Sequence, residues 1–121
     1  MPPTALTVAA AQYGIGPDYT VDGLTTVTGQ VPPTVNLAER TEDGFGQGKV
    51  LVTPFGMALA AATVAAGKTP TPHLIVGSQT TETGNHPPIS PVMLDGLREM
   101  MRLVVTNGTA KDILGAGDVR G

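Results

Sequence analysis

Residues 44–68 read GFGQGKVLVTPFGMALAAATVAAGK, three glycines within five positions in front of a run of small apolar residues. A glycine-rich entry of this kind can be a phosphate cradle, the lip of another type of site, or a hinge into a buried helix. A phosphate loop needs GxGxxG or GxxxxGK[ST] after a strand. Here Lys49 is followed by Val50, and no strand-forming run precedes Gly44. Spacing alone therefore favours the hinge. The helix behind it has a clear start, with Thr53 as N-cap and Pro54 at the first helical position. From Phe55 to Ala66 it carries no charge, and Gly67 stops it. A helix apolar on every face is expected to be buried on all sides. It is too short to cross a bilayer, so protein must surround it.

Working outward, TALTVAAAQYG (4–14) reads as a short helix ended by Gly14, a residue suited to a left-handed cap. Residues 15–35, broken by Gly-Pro, Asp-Gly and Pro-Pro, read as loop with brief extended pieces. NLAERTEDGFGQG (36–48) reads as a polar connection. TPTPHLIVG (69–77) starts with alternating prolines and turns apolar, which suggests a short edge strand. SQTTETGNHPP (78–88) reads as an exposed loop. SPVMLDGLREMMRLVV (90–105) has Ser90 as cap and Pro91 leading. Met93, Leu94, Leu97, Met100, Met101, Val104 and Val105 recur at helical spacing, opposite Asp95, Arg98, Glu99 and Arg102. That is an amphipathic surface helix. TNGTAKDIL (106–114) adds a further helical turn, with Thr109 as its cap. The class is α+β, helix-dominated, with one domain at most in 121 residues.

Composition narrows the function. Aromatics make up 3% of residues against sixteen glycines and eleven prolines, so the core is thin. The net charge is −3 and the seven basic residues are scattered, which argues against nucleic acid. No apolar run approaches the ~18–20 residues of a membrane span. The amino terminus lacks the basic start and cleavage site of a signal peptide. Without cysteine there is no thiol chemistry. His73 and His86 lack patterned carboxylates, so no metal is expected, and no cofactor is implied. His73 reads as a half-buried packing residue and His86 as a loop residue. The two serines, Ser78 and Ser90, have no lysine placed to activate them. The residues alone describe an acidic, helix-rich domain without visible catalytic groups.

The string GFGQGKVLVTPFGMALAAATVAAGKTPTPHLI, followed by PPISPVMLDGLREMMRLVVTNGTAKDI, resembles the transpeptidase domain of class B penicillin-binding proteins, most closely the actinobacterial penicillin-binding lipoprotein type. The resemblance runs from about Ala5 to Gly121. Members of that family carry a Ser-x-x-Lys nucleophile, a Ser-x-Asn loop and a Lys-Thr-Gly strand, and none occurs here: Lys68-Thr69 is followed by Pro70, which has no N–H to donate. The resemblance implies a segment, 1–121, that lies between the second and third motifs. GAGDVRG (115–121) would match the stretch before the Lys-Thr-Gly strand. It also implies a partial fold lacking most of the sheet, with no catalytic residue of its own.

By the same resemblance, GFGQG forms part of a cleft rim. Phe45 offers an apolar wall, Gln47 an amide, and Gly44, Gly46 and Gly48 a backbone that passes close to ligand. The competing reading packs Phe45 under the loop. The implied parent reaction cross-links D-Ala-D-Ala stem peptides of peptidoglycan through an acyl-serine that β-lactams trap. It would act on the extracytoplasmic side of the membrane, together with the remainder of the transpeptidase domain. The alternative is a non-catalytic module that buries its 53–66 helix by self-association.

Overall fold

The computed structural model describes residues 2–113 and Gly115. The chain divides into two compact units, 1–88 and 89–121. In chain order the first unit holds α1 (Ala5–Gln12), β1 (Tyr19–Val21), β2 (Leu24–Thr26), β3 (Gly29–Gln30), α2 (Leu37–Gly44), β4 (Leu51–Val52), α3 (Pro54–Ala66) and β5 (Thr80–Glu82). The second holds α4 (Pro91–Thr106) and a single 3₁₀ turn, Lys111–Ile113. The architecture is α+β, as expected: helices with a few short antiparallel strands.

The strands follow from turn chemistry. Asp22 and Gly23 both have positive φ (49° and 82°), the two-residue turn that a tight hairpin requires. Val21 therefore faces Leu24, and Tyr19 faces Thr26. On its other edge β1 pairs with β5, Tyr19 opposite Glu82, giving the order β2-β1-β5. β3 and β4 form a separate pair, Gly29 opposite Val52. β1 sends Tyr19 and Val21 into a small core closed by Leu59 of α3, with Phe55 packed against it. The ring of Phe55 meets Tyr19 edge-on, centroids 6.3 Å apart.

Thr28 seats α3. It is fully buried; its hydroxyl accepts from Gly16 N–H (3.0 Å) and donates to the Pro17 carbonyl (2.8 Å). Its own carbonyl accepts from the Thr53 N–H (3.2 Å), and the Thr53 hydroxyl donates chiefly to the adjacent Val27 carbonyl (2.6 Å), with the Thr28 carbonyl at 3.1 Å. That hydroxyl in turn accepts from Gly56 N–H at 3.0 Å, the N-cap bond expected of Thr53. Gly56 lies so close that a Cβ there would collide with the Thr28 carbonyl. Only glycine lets the first turn of α3 sit flush on this strand end.

Several expectations are corrected. α3 starts at Pro54 and ends at Gly67 (φ 80°) as read, but it is not buried on all sides. Gly56, Leu59, Thr63 and Val64 are buried, while Ala58, Ala61 and Ala65 face solvent and Met57 is 53% exposed. Residues 36–48 are no plain connection, since α2 occupies most of them. Asn36 caps it by accepting from Glu39 N–H (2.9 Å), and Glu39 reaches back to accept from Val35 N–H (2.6 Å). No strand forms at 69–77; residues 74–77 close in a turn, with Ser78 N–H donating to the Ile75 carbonyl (3.1 Å), and β5 lies instead at 80–82. Ser90 precedes α4 with extended backbone and no side-chain cap bond. α4 is amphipathic, but only Leu94 and Val105 are buried; Met93, Met100, Leu103 and Val104 stay exposed. Apart from Gly115, the segment GAGDVRG lies outside the described residues.

Candidate functional site

The glycine-rich loop is the C-terminal cap of α2. Gly46 N–H donates to the Asp43 carbonyl (3.1 Å) and Gln47 N–H to the Glu42 carbonyl (2.9 Å). These are the paired bonds of a Schellman motif, with Gly46 at the left-handed position (φ 80°). α1 ends the same way, through Gly14 (φ 83°) and the bonds from Gly14 and Ile15 to Ala11 and Ala10. The loop thus follows a helix C-terminus, where carbonyls rather than free N–H groups point outward. It has no phosphate-cradle geometry.

Asp43 then clamps the loop's far side. Its carboxylate Oδ1 accepts from Lys49 N–H at 3.0 Å. A Cβ at Gly48 (φ 68°) would strike that same oxygen. The Lys49 ammonium pairs with the Glu39 carboxylate. The Lys49 hydrogen bond, followed by the one from Val35 N–H, holds the Glu39 carboxyl below its ordinary range, and Glu39 raises Lys49. Five residues of loop are therefore tied at 42, 43 and 39 from one helix.

The side chains on this frame point out. Phe45 is 66% exposed and does not pack under the loop, so that competing reading is corrected. Gln47 is exposed as well, and its amide can both donate and accept. Gly44 differs from its neighbours in being the last residue of α2 with ordinary helical backbone; the left-handed positions are Gly46 and Gly48. Chemically the arrangement presents an apolar face and an amide from a rigid turn.

A second cluster was not legible in the sequence. His86 Nδ1 donates to the Ala11 carbonyl (2.9 Å), which can only accept. Nε2 lies 2.8 Å from the Tyr19 hydroxyl and 3.2 Å from Glu82 Oε2: it accepts from Tyr19 when the ring is neutral and donates to Glu82 when it is protonated. Burial, then the Glu82 charge, pushes the Tyr19 phenol up to about 12. A phenol so held is a donor and not a nucleophile. His86 sits in the loop after β5, as read, but it is half-buried there and clasps α1, β1 and β5 together. The expectation for His73 is reversed: it is exposed, with Nδ1 3.3 Å from the Thr80 hydroxyl. Ser78 spends its hydroxyl on the Ile75 carbonyl (2.7 Å). Among the described residues no three His, Cys, Asp or Glu side chains gather as a metal site, and no helix is long and apolar enough to cross a membrane.

The fold and the loop together define an α+β domain with an exposed, capped glycine turn. The family model for the penicillin binding protein transpeptidase domain matches residues 1–119, nearly the full chain, and the chain belongs to that family. No curated protein and no solved structure matches it. At family level the function is of penicillin-binding-protein type: such domains in general bind stem peptides and β-lactams and are generally extracytoplasmic.

Proposed function

We propose that these 121 residues supply the rim and helical framework of a peptidoglycan DD-transpeptidase of the class B, actinobacterial lipoprotein type. The reacting serine and lysine lie outside this stretch. Phe45 and Gln47 face the stem peptide or β-lactam from the rim, carried by the backbone of Gly44, Gly46 and Gly48. The observation that carries this is the exposed Phe45 and Gln47 on a turn fastened at both ends to α2. A rigid turn holding out an aromatic face and an amide suits an extended peptide whose backbone offers both donors and acceptors.

The sequence has no Ser-x-x-Lys, Ser-x-Asn or Lys-Thr-Gly. The purified chain is therefore expected to take no covalent label from a fluorescent penicillin, and a labelled band would overturn the reading. In the whole transpeptidase, Gln47→Ala is expected to slow acylation by a β-lactam about tenfold, the cost of one lost polar contact of ~1.4 kcal/mol. Unchanged acylation would reduce Gln47 to a loop residue. The exposed Met57 of α3 supports a second reading, self-association through that helix. A tight oligomer whose size does not change on dilution in size-exclusion chromatography would favour it.

A further inference from the structure

Three groups surround the ring of His86, and its two nitrogens cannot serve them all in one protonation state. Nδ1 lies 2.9 Å from the Ala11 carbonyl, which only accepts, so that nitrogen carries its hydrogen whether the ring is neutral or charged. Nε2 lies between the Tyr19 hydroxyl (2.8 Å) and Glu82 Oε2 (3.2 Å). In the neutral ring Nε2 is a lone pair. The Tyr19 proton is then the one hydrogen shared by two acceptors, Nε2 and the carboxylate. In the charged ring Nε2–H faces the carboxylate, and the hydroxyl can no longer donate to it.

Burial gives this exchange its weight. Tyr19 is 1% exposed, and its hydroxyl has no second bonded partner among the described residues. The phenol, pushed up to about 12, keeps its proton wherever an imidazole titrates, so the hydroxyl needs an acceptor in both states. The Glu82 side chain is half-buried, while that of His86 is only 15% exposed. No other charge competes for the ring from the elements it touches. α1 has no ionisable side chain, and β1 brings only Tyr19. Asp18, just before β1, accepts from Thr28 N–H (3.3 Å), and residues 83–88 add no ionisable group besides His86.

We propose that His86 is a proton-operated selector: neutral, it ties the loop after β5 to the core strand β1 through Tyr19; protonated, it releases Tyr19 and pairs with Glu82. The Ala11 bond persists in both states, so α1 is the fixed end of the clasp. Acid does not undo the clasp. It moves one end from a core residue to a residue four positions back along the same segment. Residues 83–88 thereby lose their side-chain bond to β1 and keep the one to α1. The selector does not depend on the rim assignment of Phe45 and Gln47.

The test is a titration of the full 121-residue chain from about pH 8 to 5, the range in which imidazoles change charge, following the Tyr19 Cζ and His86 ring signals by NMR. The chain has two tyrosines and two histidines, so Tyr13→Phe and His73→Gln assign the signals. The Tyr19 signal is expected to move in one step whose midpoint coincides with that of His86, and His86→Gln should abolish the step. Glu82→Gln removes the charge that attracts the ring proton. It should lower the midpoint by roughly a few tenths of a pH unit, as befits a partly exposed pair. Tyr19→Phe removes the donor that favours the neutral ring, and should raise the His86 midpoint by about half a unit. The opposite signs distinguish a change of partner from general loosening in acid. The unsubstituted chain decides the matter by itself should a variant fail to fold. A Tyr19 signal that stays flat while His86 titrates, an His86 ring that does not titrate in this range, or midpoint shifts of the same sign in the two variants would overturn the proposal.

Discussion

Tyr19 shows how much one side chain can carry in a chain with so few aromatics. It anchors the core, meets Phe55 edge-on and gives its hydroxyl to His86. Its phenol is raised to about 12 by burial and by Glu82. A folded-state pKa above the unfolded value of about 10 means the stabilising contribution is whole below pH ~10 and is lost as pH climbs toward 12. Denaturant titrations through that window should show of order 1–2 kcal/mol of lost stability, with a flatter profile in Tyr19→Phe. If the two proteins lose stability in parallel, Tyr19 is not the titrating group. The same scale explains why the clasp could not be read beforehand. His86 finds its partners at Ala11 and Tyr19, 75 and 67 positions away, and no local pattern encodes a contact that distant. His73, which follows Pro72 and was read as half-buried, is exposed.

At the scale of elements, local chemistry was readable where it was self-contained. Thr53-Pro54 and Gly67 bracket α3 as their types require, and Gly14 closes α1. Thr53→Ala is expected to cost about 1–2 kcal/mol in urea unfolding, because its hydroxyl serves Gly56 N–H as well as the Val27 carbonyl. Ser90→Ala should change almost nothing, since Ser90 makes no side-chain cap bond. Equal effects of the two substitutions would contradict this contrast. α2 was missed for a physical reason: it has no buried apolar stripe, and its only buried residue is Asp43. Its signal was the capping pair Asn36 and Glu39, which polar composition masked. The apolar run at 69–77 failed as a strand because it folds back in a turn, with Gly77 at positive φ and the Ser78 N–H on the Ile75 carbonyl. For the candidate site, the sequence misread the local setting. Phe45 and Gln47 are exposed as a rim would need, yet the glycines belong to the end of one helix rather than to a hinge before the next.

Across the whole chain, stability is expected to be uneven. The first unit has a core at Tyr19, Val21 and Leu59 and a buried hub at Thr28. In the second, α4 buries only Leu94 and Val105. Amide exchange should therefore be slowest around β1 and Thr28 and faster along α4, whose solvent-facing Met100 and Leu103 contribute little burial. Uniform protection across both would refute this distribution. The low aromatic and high glycine content made a thin core foreseeable; which face of α3 stays uncovered depended on contacts that composition does not contain.

The twin glycine closures of α1 and α2 carry a last consequence. Because the 45–49 turn is fastened through Glu42, Asp43 and Glu39, it has no independent freedom: it melts when α2 melts. A molecule arriving there meets a contour already set, so little configurational entropy is surrendered on docking. Conversely, damage at the remote Asn36 end, well away from Phe45, would blur that contour without touching a single residue of it.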